Sequence, residues 1–179
     1  QAQAQASGID TQTLLQFLHG HCFNTRRQCT NQKCKADVRH HEQCFSHHGG
    51  RISVRVLQLP HECSLPEGGM FAWTACRACE AAHARCSPRV PLSADALDMS
   101  FGRFLEMSVY NKAAVSRFSG CAHALHEHHE RFIGCGTLAC SIRFQQCVVF
   151  DVPPPLAGVS WAAGQACPTF YADRGAAVA

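Results

Sequence analysis

The sequence predicts a small α+β domain of antiparallel strands and short helices, closed by Cys/His knuckles. Three observations predict it. Apolar residues make up 46% of the 179-residue chain, enough for one core and too many for wholesale disorder. Short alternating and helix-spaced apolar segments follow one another without a βαβ pattern. Thirteen Cys stand beside 12 His, a composition that can staple a loop-rich chain whose core alone is marginal. No apolar run approaches the ~20 residues that a membrane helix needs, so no transmembrane segment is expected.

Residues 1–10 (QAQAQASGID) are polar and Ala/Gln-rich, and read as a mobile segment. They show no secretion signal, and the chain is expected to be a piece of a longer protein. Residues 11–156 form the expected domain. Its first element is a short helix in TQTLLQFLHGHCF, capped by Thr11 or Thr13, with Leu14, Leu15, Phe17 and Leu18 as its apolar face and Gly20 as its stop. Residues 22–50 are polar with scattered Cys and His, and are expected to form a loop-rich knuckle. In RISVRVLQLP, Ile52, Val54 and Val56 alternate with Ser53, Arg55 and Leu57, which predicts a half-buried strand ended by Pro60. PEGGM is a turn, and FAWTAC suits a second antiparallel strand that runs into Cys76.

Further on, LSADALDMSFGRFLEMSVYN predicts a helix capped at Ser93, with Leu97, Phe101, Phe104, Leu105 and Val109 near helical spacing and Gly102 weakening it. ALHEHHERFIG predicts a second short helix. LACSIRFQQCVVFDVPPP predicts one or two strands closed by the proline run. Residues 157–179 are Ala/Gly-rich and read as a tail or linker.

Cysteine on this scale means disulfides in an oxidising compartment or metal thiolates in a reducing one. Metal is favoured: the Cys count is odd, and imidazole has no use in a disulfide scheme, whereas Zn²⁺ takes both ligands. One or two Zn²⁺ ions are therefore expected in a cytosolic setting. The Cys76-Arg-Ala-Cys79 spacing lets one tight turn aim two sulfurs at one ion. By itself it says little, because roughly one such pair is expected by chance at this cysteine content. The simplest closed site joins Cys76 and Cys79 to Cys121 and one of His123 or His126, with solvated incidental histidines as the alternative. In the segment from Cys22 to His48, Cys29, Cys34, His41 and His47 are chosen as ligands for a second Zn²⁺. Cys63, Cys86, Cys135, Cys140, Cys147 and Cys167 read as buried thiols.

Several chemistries lack their patterns. HEHHE at residues 126–130 is not the H-E-x-x-H of zinc proteases, and the deaminase order of H-x-E before P-C-x-x-C is missing. There is no P-loop, and no H-R-D or D-F-G follows GCGTL. The net charge of +3 is mild, and Arg26, Arg27, Lys33, Lys35, Arg39 and Arg51 are not interleaved with aromatics, so nucleic acid is not the expected partner.

The ordered set of motifs resembles the cysteine-rich region of the PIKfyve-type phosphatidylinositol 3-phosphate 5-kinases, between their chaperonin-like and kinase domains. MSFGRFLEMSVY at residues 99–110 carries most of it, with QCTNQKC, VRHHEQCFSHHGGRISVRVLQLP, AWTACRAC, CAHALHEHHERFIG, LACSIRF and VPPP around it in order, from about residue 14 to 156. Ala122 and Ala124 depart from the Gly and Ser usual there, and Cys44, Cys63, Cys86 and Cys135 are additions. His129 occupies a position where the family varies, and is left outside the ligand set. The resemblance implies a non-catalytic structural and regulatory module. In that family such a module supports the kinase's scaffold assembly, peripheral to endosomal or vacuolar membranes. The alternative is a free-standing zinc domain that binds protein or nucleic acid. Phe101, Phe104 and Leu105 read as core, leaving the outward-facing Arg103 and Glu106 as candidates for partner docking.

Overall fold

The computed structural model describes residues 12–34, 36–79, 86–117 and 120–148. The expected tail at 157–179, Thr11 and Cys167 lie outside the described residues. Helix α1 (Leu14–Phe17) starts at a capping box. Thr13 Oγ1 accepts the Gln16 N–H at 3.2 Å, and Gln16 Oε1 accepts the Thr13 N–H at 2.9 Å. Gly20 does not stop it. The chain continues through a π-helical turn, Leu18–Cys22, which buries Leu18 and Cys22 completely.

The polar stretch after Cys22 is more ordered than its composition suggests. It contains a 3-10 turn, Val38–His40, and strand β1 (Gln43–His47). Strand β1 is invisible as a pattern because it is an edge strand with little buried surface, and hydrogen bonding to β2 (Gly50–Gln58) holds it. His48 and Gly49 connect the two with positive φ at both positions, 43° and 77°, as a two-residue type I′ hairpin turn requires.

The remaining elements are β3 (Phe71–Cys76), β4 (Val90–Pro91), α2 (Ala94–Asp98), α3 (Phe101–Tyr110), α4 (Leu125–His128), β5 (His129–Cys135) and β6 (Leu138–Gln146). The long helix expected after Ser93 is two helices. Ser93 Oγ caps α2 by accepting the Ala96 N–H, and Ser100 Oγ caps α3 by accepting the Arg103 N–H. A second capping serine is the reason for the break. The helix expected across ALHEHHERFIG ends at His128, and the chain becomes strand from His129 because RFIGC pairs on both sides.

The six strands form one antiparallel sheet in the order β1-β2-β6-β5-β3-β4. FAWTAC is antiparallel as expected, but its partners are β5 and β4 rather than the preceding strand. Register pairs Ile52 with Phe144, Val54 with Ile142 and Val56 with Cys140. It also sets Ile133 opposite Cys140, so these side chains share one face. Helices α1 and α3 cover that face. The Phe17 and Phe101 rings stack at 3.6 Å, and Phe45 meets both edge-on from β1. Phe101, expected in the core, is completely buried, with Phe104 and Leu105 packed against it. Cys22 and Cys140 also meet in this core; their contact and their burial push the Cys22 thiol's pKa up. No helix among the described residues is long and apolar enough to cross a membrane.

Candidate metal centre

Strand β3 delivers Cys76, 4% exposed, to one end of the sheet, and the chain turns through Arg77 and Ala78 to Cys79. Three hydrogen bonds fix that turn. The Arg77 N–H donates to His128 O at 2.7 Å, and its guanidinium donates to Glu127 O at 2.7 Å and Phe144 O at 3.2 Å. Cys121 and His123 approach on the segment before α4, which the Leu125 N–H to Ala114 O bond and the Val115–Ala124 bridge hold against the rest of the fold.

The ligand atoms of Cys76, Cys79, Cys121 and His123 all lie within 4.8 Å of one another. His123 Nδ1 is 3.5 Å from Cys76 Sγ and 3.5 Å from Cys79 Sγ. In a tetrahedral zinc site, Zn–S of about 2.3 Å and Zn–N of about 2.0 Å put neighbouring ligand atoms roughly 3.5 Å apart. Three sulfurs and one imidazole within 4.8 Å of one another, with two of the contacts at that spacing, fit a closed Cys₃His zinc site. The Cys79 thiol is pushed up to about 11, first by its hydrogen bond with Cys76, then by burial and by Cys121. Crowded thiols oppose one another's ionisation, and a divalent cation among them reverses that.

A second group is Cys29, Cys34 and His41, again within 4.8 Å of one another. Cys34 Sγ lies 3.3 Å from His41 Nε2, and the Asn31 N–H points at Cys29 Sγ at 3.4 Å. The loop between the two cysteines is closed by the Cys29 N–H to Ala36 O and Cys34 N–H to Asn31 O bonds, both 2.9 Å.

The structure does not bring His47 or His126 into either group. His47 sits at the far end of β1, with Nε2 2.8 Å from Tyr110 Oη. His126 is 6% exposed, and its Nδ1 has no hydrogen-bond partner among the described residues. Burial, with Arg131 adding to it, lowers its pKa to about 4. Arg131 is itself buried, with Nη1 donating to Ser108 Oγ at 2.9 Å and the guanidinium over the Phe104 ring. Arg103 and Glu106 are exposed and paired with each other at 2.8 Å. The cysteines read as core thiols divide: Cys140 is fully buried, Cys63, Cys135 and Cys147 partly so, and Cys86 is exposed.

One further histidine, left outside the ligand set, lies beside the first group without being part of it. His129 is completely buried, with Nε2 3.5 Å from Cys121 Sγ and Nδ1 3.2 Å from Ala124 O. Helical spacing would have set it beside His126. Only its pairing opposite Cys76 across β3 and β5 places it at the cluster.

The match to known proteins is to lipid kinases. The chain is 31% identical over 144 residues to the 1-phosphatidylinositol-3-phosphate 5-kinase FAB1A of Arabidopsis thaliana, and 33% identical over 147 residues to FAB1B of the same plant. Each alignment covers 78% of this chain and 8% of the relative. Its homologues are the FAB1/PIKfyve phosphatidylinositol 3-phosphate 5-kinases. The mouse 1-phosphatidylinositol 3-phosphate 5-kinase matches at 24% identity over 151 residues, 83% of this chain and 7% of that protein. The chain thus corresponds to one segment of these kinases, outside their kinase portion, and spans under a tenth of their length. No family profile and no solved structure matches it.

Proposed function

We propose that this domain is a non-catalytic structural and regulatory module of a phosphatidylinositol 3-phosphate 5-kinase-like protein, supporting that protein's scaffold assembly at endosomal or vacuolar membranes. The observation that carries the reading is the convergence of Cys76, Cys79, Cys121 and His123 in a segment that the kinases share. Bound Zn²⁺ would cross-link the end of β3 to the segment before α4, and binding of this kind is worth roughly 10–16 kcal/mol in small zinc peptides. Cys29, Cys34 and His41 would tie the loop before β1 in the same way. The exposed pair of Arg103 and Glu106 on α3 is the proposed docking point for a scaffold protein or a neighbouring domain.

The test uses the full parent protein. Replacing Cys76 and Cys79 by Ser should lower its zinc content by one ion per chain and disrupt its assembly with the scaffold. Assembly that survives loss of that zinc would overturn the structural role. Zinc content unchanged by the double substitution would overturn the metal site.

A further inference from the structure

His129 occupies the first position of β5, completely buried, where antiparallel register sets it opposite Cys76. Its ring is oriented from both sides. A carbonyl oxygen can only accept, so the contact between Nδ1 and Ala124 O requires the proton to be on Nδ1. The neutral ring then has its lone pair on Nε2, which faces Cys121 Sγ at 3.5 Å. Two electron-pair donors face each other there, and only a proton or a metal ion can stand between them. The 3.5 Å separation equals that of His123 Nδ1 from Cys76 and from Cys79. An imidazole whose far nitrogen is tied to a backbone carbonyl is also the usual arrangement of a metal-ligating histidine.

We propose that His129 is a ligand of the same metal ion, through Nε2, and that His123 and His129 are alternative fourth donors to the Cys76, Cys79 and Cys121 set. Five donors then serve four places. His129 is held on a strand and sealed from solvent, whereas His123 is only partly buried and sits in a loop, its ring against that of His128. His123 is the donor that can leave, and His129 keeps the ion four-coordinate when it does. The inference rests on the reading of this cluster as a metal centre, and the experiment separates the two.

The protein is loaded with ¹¹³Cd²⁺ in place of zinc, and scalar coupling from the metal to histidine ring protons is recorded. In His123→Ala, the expected result is one ion still bound per chain and coupled to the His129 ring. Removing His129 as well should abolish binding at this centre. Coupling to His123 alone in the unaltered protein, together with complete loss of the ion in His123→Ala, overturns the role of His129 but leaves the metal centre standing. An unaltered protein that binds no ion through these cysteines overturns both readings. Because an alanine variant can fail to fold, His129→Cys provides a second measurement with Co²⁺. Sulfur-to-cobalt charge-transfer absorption should rise toward that of a four-thiolate site, and unchanged absorption overturns the proposal.

Discussion

Cys76 and His129 face each other across the antiparallel pairing of β3 and β5. That single register position joins the CRAC knuckle to the CAHALHEHH segment. Cys76 leads directly to Cys79, and the chain just before His129 supplies Cys121 and His123. A slip of one residue between the strands would put Cys76 and His129 on opposite faces of the sheet and dismantle the cluster.

The knuckles should therefore be separable by metal content. Cys79→Ser or Cys121→Ser should each remove one zinc per chain and lower the thermal midpoint, because a centre that has lost one of its three thiolates binds far more weakly. His47→Ala should leave zinc content unchanged, since His47 is engaged with Tyr110 at the other end of β1. Metal analysis and calorimetry on the same samples decide it, and zinc lost from His47→Ala would contradict the assignment.

Acid should destabilise the domain through His126. Burial depresses its folded-state pKa from 6.5 to about 4, so the folded state favours the neutral ring. The contribution is fully present above about pH 6.5 and is lost as pH falls toward 4, at most roughly 3 kcal/mol. His126→Gln should flatten the denaturation midpoint between those two pH values relative to the unaltered protein. An equally steep fall in the variant would mean that other groups carry the effect.

Gly134→Ala should cost about 1–3 kcal/mol. A Cβ at this position of β5 would lie 2.9 Å from Leu138 O and 2.8 Å from Leu65 Cδ1, and the backbone carbonyl cannot swing aside as a side chain can. Urea denaturation measures it. A change under about 0.5 kcal/mol would show that the β5–β6 turn gives way.

The exposed pair on α3 offers a stability-neutral test of docking. Exchanging the charges, Arg103→Glu with Glu106→Arg, keeps an i,i+3 pair, and should leave the midpoint within about 0.5 kcal/mol. In the full parent protein it should weaken scaffold assembly at least several-fold. Co-purification of the scaffold at unchanged yield would remove this surface from consideration.

Much of the fold was legible where structure is local. Alternation placed β2, and Ser93 announced α2, because both signals lie within a few residues. Strand β1 was not legible: Phe45 is its one apolar anchor among polar residues, and only pairing with β2 makes it a strand. The break at Ser100 was missed because apolar spacing runs through it, while the N-cap bond to the Arg103 N–H restarts the helix. Of the candidate site, Cys76, Cys79, Cys121 and His123 were named from the sequence, but so were His126 and His47, which sit elsewhere.

By itself the sequence determined the kind of protein: a Cys/His-rich α+β domain whose motif order is that of the lipid-kinase segment, with one two-sulfur knuckle set by a tight local turn. Which histidines reach that knuckle was decided only by the tertiary structure. A helix over residues 125–134 would have put His126 and His129 on one face, whereas β5 begins at His129 and carries it to Cys76. The energies that settle the matter are hydrogen bonds to strands distant in sequence, and no local pattern of side chains records them.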